Sequence, residues 1–398
     1  VGARHLTGLA QAVVSDIGGT TTDVAILNDG RPALDADGAV VGGYRTMVEA
    51  VAMRTYGLGG DSEVRIDDRS LSLRLDLGPR RLVPLSLAAA LHGPAVIAIL
   101  ERQLRATHMG RHDGRLAVRT GVPDALAAGL AAQEAALFAR IGPSPIALDQ
   151  LLTATAQLAN LDRLVARGLV HICGITPSDA MHVLGRQGQW NRAAAELGLR
   201  LVMRRKNGAG QPIAASAEEL AERIVERLTR QSAEVILSAT LSQDGLADVE
   251  PARSVLIDRA LRREPGIVRF ALSLDRPLVG LGASAPVYYP AIGDMLAVAC
   301  EVPEDADVAN AIGAVVGRVR ATVTVFVTAP EDGIFILSGA GDGRRFADEE
   351  TAFMAARERA EQAALVQALA NGAADAVASS IEEIDAPEID GRRKLIEA

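Results

Sequence analysis

The eight residues Asp16-Ile17-Gly18-Gly19-Thr20-Thr21-Thr22-Asp23 constrain this chain more than any others. Short apolar runs, 13–17 and 24–27, meet in them from either side. Such runs closing on a glycine pair read as the two strands of a β-hairpin with a tight turn. The context is strand–turn–strand. A Walker-type loop needs a Gly-Lys pair and a following helix, and the dinucleotide fingerprint must also open a helix, so both are excluded. What remains is a turn whose N–H groups are open to an anion. Its glycines let phosphate oxygens reach the backbone with no Cβ in the way. Thr20 and Thr21 add hydroxyl donors. Asp16, at the strand end, is placed to hold Mg2+ through water or to orient an attacking water. Asp23 is placed to brace the turn. The plain alternative is an ordinary Gly-Thr hairpin with two turn carboxylates. The paired aspartates around Gly-Gly-Thr-Thr-Thr favour the phosphate reading.

The spacing of apolar residues divides the rest of the chain. Residues 1–80 read as mostly β, with strands at 39–41, 44–53, 63–66 and 70–75 and turns at 28–30, 42–43 and 57–60. Residues 81–265 read as mostly helical, with helical spacing over 85–104, 124–138, 148–167 and 217–238. A short apolar segment at 169–172 interrupts them. Pro177 opens a further helix to Leu184, with Thr176 or Ser178 near its cap. Residues 266–398 read as α/β. Strands are expected at 267–272, 277–281 and 296–302, a helix at 306–316, and a hairpin from 319–328 and 333–338. A long helix at 349–371 and a last strand at 377–384 follow. No internal repeat or low-complexity linker is present.

A second glycine cluster, Leu278-Val279-Gly280-Leu281-Gly282-Ala283-Ser284, ends an apolar strand in small residues. Small residues there let a flat ring approach the backbone, which suits an adenine or ribose site. A helix or tight turn follows at 286–291, where Tyr288 and Tyr289 either stack on a base or pack.

Composition narrows the function. With 398 residues, 49 % apolar and 23 % charged, the chain buries a large core without disulfides. Two distant cysteines, Cys173 and Cys300, exclude a disulfide framework and a Cys-type zinc site. A net charge of −9, no basic arm and only 3 % aromatics argue against a nucleic-acid partner. The longest apolar run, 82–100, contains His92, Gly93 and Pro94 and gives no membrane span. With no signal peptide in view, a cytoplasmic protein is expected. Residue 1 is Val and the first strand follows closely, so the chain reads as a piece of something longer.

Four other groups carry side chains able to bind or react. His108 and His112 have helical metal-ligand spacing, but Gly110 and Gly114 favour a loop. His171 and Cys173 share one face if they lie on a strand, though a buried structural thiol is the stronger reading. His182 reads as a packed histidine. Arg204-Arg205-Lys206 reads as a solvated basic turn.

Residues 16–23, followed by Val41-Gly42-Gly43-Tyr44 and Gly57-Leu58-Gly59-Gly60-Asp61-Ser62, resemble the hydantoinase A/5-oxoprolinase family. Ile175-Thr176-Pro177-Ser178-Asp179-Ala180 and Val183-Leu184-Gly185-Arg186 resemble a further stretch of it. The resemblance implies an α/β, actin-like ATPase fold, in which two RNase-H-like lobes clamp Mg-ATP. This chain matches the second lobe, with its β-hairpin phosphate loop and a large, mostly helical insertion. By that resemblance Gly18, Gly19, Thr20, Thr21 and Asp23 serve the phosphates, and Asp16 serves Mg2+ and water. Gly280, Gly282 and Ala283 take the adenosine, and Gly59, Gly60, Asp61 and Ser62 border the substrate cleft. The implied reaction is ATP-dependent opening of a cyclic amide, a hydantoin or 5-oxoproline, by activation of its carbonyl. A related branch carboxylates ketones. A non-catalytic, actin-like nucleotide switch or scaffold is the alternative. The implied partners are a β-type hydantoinase subunit and an N-terminal lobe of the same protein. That lobe's own Asp-x-Gly-Gly-Thr hairpin has no copy before Asp16, so this chain alone is expected to be inactive. Ala52-Met53-Arg54 stands where many relatives carry Asp-x-His.

Overall fold

The alternation around the glycine turn builds the frame. The computed structural model describes residues 1–35, 40–41, 44–45, 50–67, 69, 71, 73–317, 321–331, 333–381, 388–389 and 392–393. After a short helix α1 (Gly2–Thr7), strands β1 (Ala12–Ile17) and β2 (Thr22–Asn28) pair antiparallel, with Asp16 opposite Asp23. Val13, Ser15 and Ile17 are buried on β1, and Thr22, Val24 and Ile26 on β2, which is the period of two that a strand imposes. Next come β3 (Arg31–Pro32), β4 (Leu34–Asp35), β5 (Val40–Val41), β6 (Tyr44–Arg45), β7 (Ala50–Val51) and β8 (Met53–Tyr56). β4 pairs with β7, and β5 with β6. Gly42 and Gly43, the expected turn between strands, lie outside the described residues. β9 (Ser62–Asp67) and β10 (Arg74–Arg81) form a two-stranded hairpin.

Then follow β11 (Val83–Pro84), α2 (Leu85–His92), α3 (Pro94–Arg105), β12 (Leu116–Arg119), α4 (Ala132–Arg140), β13 (Ile146–Ala147), α5 (Leu148–Leu151), α6 (Gln157–Ala166) and β14 (Val170–Gly174). The helix expected over 85–104 is two helices, because Gly93 turns the chain at φ 60° and Pro94 cannot donate to the turn before it. The helix expected over 124–138 starts as a 3-10 turn, Asp124–Ala127, and resumes at Ala132 beyond Gly129 (φ 77°). The stretch 81–265 also carries a four-stranded sheet, β11-β14-β12-β13, which helical spacing alone did not reveal. Its own core gathers Leu82, Leu137, Ile141, Leu151, Leu164 and Val170.

α7 (Pro177–Val183), α8 (Arg192–Met203), α9 (Ala217–Gln243) and α10 (Val255–Leu261) come next. α9 packs against α7, α8, α11 and β2. Its buried residues, Leu220, Ala221, Ile224, Leu228, Ile236 and Leu237 among them, recur at three- and four-residue steps. Each such Leu or Ile contributes about 1.5–3 kcal/mol relative to exposure.

β15 (Leu278–Leu281), α11 (Ala285–Met295), β16 (Cys300–Glu301) and α12 (Ala309–Val316) complete the main sheet. Its order is β16-β15-β1-β2-β3, with β8 also on β2. β1, β15 and β16 run parallel, while β1, β2 and β3 form an antiparallel meander. All four residues of β15 are buried, as a central parallel strand requires. No strand forms at 267–272, where Ile267 and Val268 are exposed and find no pairing partner. The strand expected over 296–302 shrinks to Cys300–Glu301, because Leu296 caps α11.

The chain divides into two compact units, Val1–Val315 and Val316–Ala398. The second unit holds β17 (Phe326–Glu331), β18 (Ile334–Ser338) and β19 (Arg344–Phe346) as an antiparallel sheet. α13 (Glu349–Ala370) covers that sheet through Ala352 and Ala356 against Val327 and Leu337. Residues 377–381 carry no strand, and 382–384 lie outside the described residues.

Candidate functional site

The hairpin turn is closed by one backbone bond, Gly18 N–H to Thr21 O at 2.9 Å. Its two inner carbonyls are already taken. Gly18 O accepts from Gly60 N–H at 3.0 Å, and Gly19 O accepts from Asp61 N–H at 2.8 Å. Among the described residues no hydrogen bond uses the N–H of Gly19 or Thr20, and both residues are exposed. The turn therefore spends its carbonyls on the protein and leaves those N–H groups without a protein partner, an arrangement compatible with an anion.

The 57–62 loop makes that polarity possible. It lies so close that a Cβ on Gly59 would stand 2.5 Å from both Gly18 O and Gly19 O. Thr22 Oγ1 donates to Leu58 O at 2.7 Å, and Ser62 Oγ accepts from Gly59 N–H at 2.9 Å. Gly59, Gly60, Asp61 and Ser62, expected at the border of a substrate cleft, are buried and brace the turn. Asp61 sits over Gly19, where its Oδ2 would lie 2.6 Å from an added Cβ. Its carboxylate accepts from Arg81 Nη2 at 3.2 Å and from Ser178 Oγ at 3.3 Å. Burial pushes the Asp61 carboxyl above its ordinary value, while Arg81 and the Ser178 hydroxyl oppose that shift.

The Thr176-Pro177-Ser178-Asp179 stretch holds this loop from behind. Thr176 caps α7 in a reciprocal capping box with Asp179, and Pro177 takes the first helical position. Ser178 N–H and Oγ both donate to Gly60 O, at 2.8 and 2.9 Å. Asp179 is fully buried and accepts from the N–H groups of Leu85, Ser86 and Thr176 and from the Ser86 and Thr176 hydroxyls. The Tyr288 hydroxyl is buried beside Ser178 and Ser284 with no partner in hydrogen-bonding geometry.

Asp16 ends β1 half-buried. Its Oδ2 accepts from Asn310 Nδ2 at 2.9 Å, and its Oδ1 faces Gly282, where a Cβ would lie 2.9 Å away. Burial raises the Asp16 carboxyl, the Asn310 bond lowers it, and the Asp23 charge across the hairpin raises it again. Asp23 accepts from the hydroxyl of Thr55, its register partner on β8. Gly282 has φ 105° and stands so close to β1 that a Cβ would lie 2.4 Å from Ile17 O. At Gly280 a Cβ would strike the Tyr289 ring at 2.3 Å, and Tyr289 in turn donates to Ser15 Oγ. Ala283 is exposed. Gly18, Gly19, Thr20, Thr21, Gly282 and Ala283 thus gather at the carboxyl ends of the parallel strands β1 and β15. Ligands of open α/β sheets bind at such ends. Tyr288 and Tyr289 are only 2 % and 0 % exposed, so both pack and neither offers a face to a base.

The remaining groups fall outside this site. His108 and His112 lie in a loop. Cys173 is buried, and desolvation pushes its thiol up to about 12, as for a packed structural thiol. His171 beside it on β14 is exposed. His182 is buried, its Nε2 accepting from Trp190 N–H at 3.1 Å and its ring stacked on Trp190. Nδ1 therefore carries the proton and donates to Ser178 O at 2.7 Å. Arg204 is a helix cap, donating to the carbonyls of Gln103 and Ala106 at the end of α3. Sequence reasoning gives no role to Asn310 or Arg81, and it names Ser178 only near a helix cap and within a motif. Nothing local to Asn310 or Arg81 announces a partner 294 or 20 residues away.

A family model described as Hydantoinase/oxoprolinase matches residues 1–253, well over half of the chain. The chain belongs to the hydantoinase/oxoprolinase family. Among solved structures, this family member is similar to a nucleotide-free acetone carboxylase studied for ATP-dependent acetone carboxylation, at 16 % identity and a TM-score of 0.47. That alignment covers 93 % of this chain and 36 % of the other. It is also similar to an ATP-dependent caprolactamase from Pseudomonas jessenii, at 15 % identity and a TM-score of 0.42, over 92 % of this chain and 44 % of that one. The chain thus spans less than half the length of either. A comparison with curated proteins found no match. No helix among the described residues is long and apolar enough to cross a membrane.

Proposed function

We propose that this chain supplies one ATP-binding lobe of an enzyme that opens a cyclic amide of the hydantoin or 5-oxoproline type. The observation that carries the reading is the 18–21 turn, whose exposed residues Gly19 and Thr20 have N–H groups without a partner among the described residues, on the hairpin whose strand end carries Asp16. Family membership supports the reaction class. The main sheet, a three-stranded meander followed by two strands parallel to its first, supports an RNase-H-like lobe of the actin-like ATPase kind. On this reading residues 1–80 and 266–398 carry the lobe and 81–265 are its insertion.

The residues then take the following roles. Gly18 leaves room for phosphate oxygens, the Gly19 and Thr20 N–H groups bind them, and the Thr20 and Thr21 hydroxyls add donors. Gly280 and Gly282 bring β15 against β1, so that Ala283 borders the nucleoside. Asp16 suits Mg2+, a hard cation that prefers one or two carboxylates and keeps several waters. Asn310 occupies only one of its oxygens. There the Asp16 carboxylate would hold Mg2+, which would offset part of the phosphate charge. An amide oxygen is a poor leaving group. Phosphorylation of that oxygen makes the carbon electrophilic: water adds to it, the C–N bond breaks so that the protonated ring amine leaves and an acyl phosphate remains, and a second water hydrolyses that to carboxylate and phosphate. The protein contributes mainly position and charge to such a transfer. The first lobe and a β-type subunit complete the enzyme.

A nucleotide-dependent switch is the second reading. One observation favours it: Met53 and Arg54 stand on β8 where many relatives carry Asp-x-His, and Arg54 is engaged with the Ser242 hydroxyl on α9.

The test is ADP release by the full-length protein with its β-type subunit, offered hydantoin, N-methylhydantoin, 5-oxoproline, or acetone with bicarbonate. One cyclic amide should stimulate release, and Asp16→Ala should remove that stimulation by about 100-fold or more. Turnover that survives Asp16→Ala would sink the role given to Asp16. Nucleotide binding that no compound stimulates would select the switch.

A further inference from the structure

Three carboxylates crowd the turn. Asp16 and Asp23 face each other across the hairpin, and Asp61 overhangs Gly19. A nucleoside triphosphate brings about four more negative charges, of which one Mg2+ offsets two. The site therefore needs a cation from the protein. Arg81 is a cation in contact with this cluster. Its Nη2 lies 3.2 Å from Asp61 Oδ2, and its side chain is 55 % exposed against 10 % for Asp61. Its backbone is fixed there, because Arg81 pairs with Ser62 and Leu82 N–H donates to Asp61 O at 2.9 Å. Among the described residues the guanidinium makes no second hydrogen bond, so most of its donors remain free. A planar fork of donors is the group that takes phosphate in bidentate fashion.

We propose that Arg81 is the phosphate-binding cation of this site, parked on Asp61 and shared with the phosphates of a nucleotide seated at the 18–21 turn. This rests on the nucleotide-binding reading. The competing role is a counter-ion that only neutralises Asp61.

Four versions of the full-length protein separate these roles: wild type, Arg81→Gln, Arg81→Lys, and Arg81→Gln combined with Asp61→Asn. Affinity for Mg-ATP and Mg-ADP is measured by calorimetry, with melting temperatures alongside. Arg81→Gln should weaken ATP about tenfold or more, Arg81→Lys should recover part of that, and the double variant should stay weak. Arg81→Lys keeps the charge and the Asp61 pair, which guards against a folding defect. Wild-type ATP affinity in the double variant would make Arg81 a counter-ion only and overturn the proposal. Equal affinity in wild type and Arg81→Gln would overturn it and leave the nucleotide reading standing. A wild type that binds neither nucleotide would remove both.

Discussion

The two glycine turns at the ends of β1 and β15 are glycine-rich for different reasons. At Gly280 the missing side chain makes room for the Tyr289 ring, and at Gly282 for Ile17 O, with a φ of 105° that L side chains rarely adopt. Those residues are glycine because the fold's own atoms stand where a Cβ would go. Gly18 is otherwise. A Cβ there would meet only Thr21 O, at an ordinary 3.5 Å, and the residue is exposed. Among the described residues nothing requires glycine at that position. A glycine that packing does not require, at a turn whose Gly19 and Thr20 N–H groups have no partner among the described residues, is what the proposed phosphate site calls for. Gly19 beside it is pressed by Asp61 Oδ2, 2.6 Å from where a Cβ would stand, so the contrast rests on Gly18, the position that the proposed function leaves open for phosphate.

Substitutions break that comparison cleanly. Gly282→Ala forces a clash with backbone and a strained φ together, and should cost about 3 kcal/mol of stability, read from the urea midpoint. A cost below about 1 kcal/mol would mean that the β15 turn yields easily, and the contrast between the turns would fail. Gly18→Ala should leave stability within about 1 kcal/mol of wild type while weakening Mg-ATP about tenfold. Unchanged affinity would show that phosphate does not approach the backbone at Gly18. A stability loss as large as that of Gly282→Ala would show that the turn is structural.

The same contrast explains what was legible in the sequence. The hairpin at 16–23 could be read because its signal is local: alternating burial on both sides and glycines between. The α7 cap was legible for the same reason, since Thr176, Pro177 and Asp179 act within four residues. The helix breaks at Gly93 and Gly129 carried local signals too, but helical spacing on both sides masked them. The four-stranded sheet inside 81–265 was not legible. Its strands are two to five residues long, and it exists only through pairing between distant segments such as Leu116 with Cys173. The bracing role of the 57–62 loop was hidden in the same way. Its motif marked it as important, but burial against Gly18 and Gly19 is a tertiary fact. Asn310 and Arg81 touch the site only because the fold brings distant or bulged segments together.

Asn310 gives the smallest effect and the sharpest one. Burial holds the Asp16 carboxyl above its ordinary value and the Asp23 charge raises it further, while the Asn310 amide is the group that pulls it down. Asn310→Ala removes that restraint, so the Asp16 carboxyl should titrate at still higher pH. Mg2+ needs the carboxylate, so activity is lost as pH falls through that value, and the acid limb of the pH–rate profile should move upward in the variant. At pH well above the limb, Asp16 is ionised in both proteins and their rates should converge. Stability runs the other way. A carboxyl whose folded value lies above its unfolded one favours the folded state at low pH, and that contribution fades as pH rises, more so without Asn310. A uniform drop in rate at every pH would make Asn310 a steric support alone. An acid limb that does not move would assign it to another group, with Asp61, also raised by burial beside the turn, the next to test.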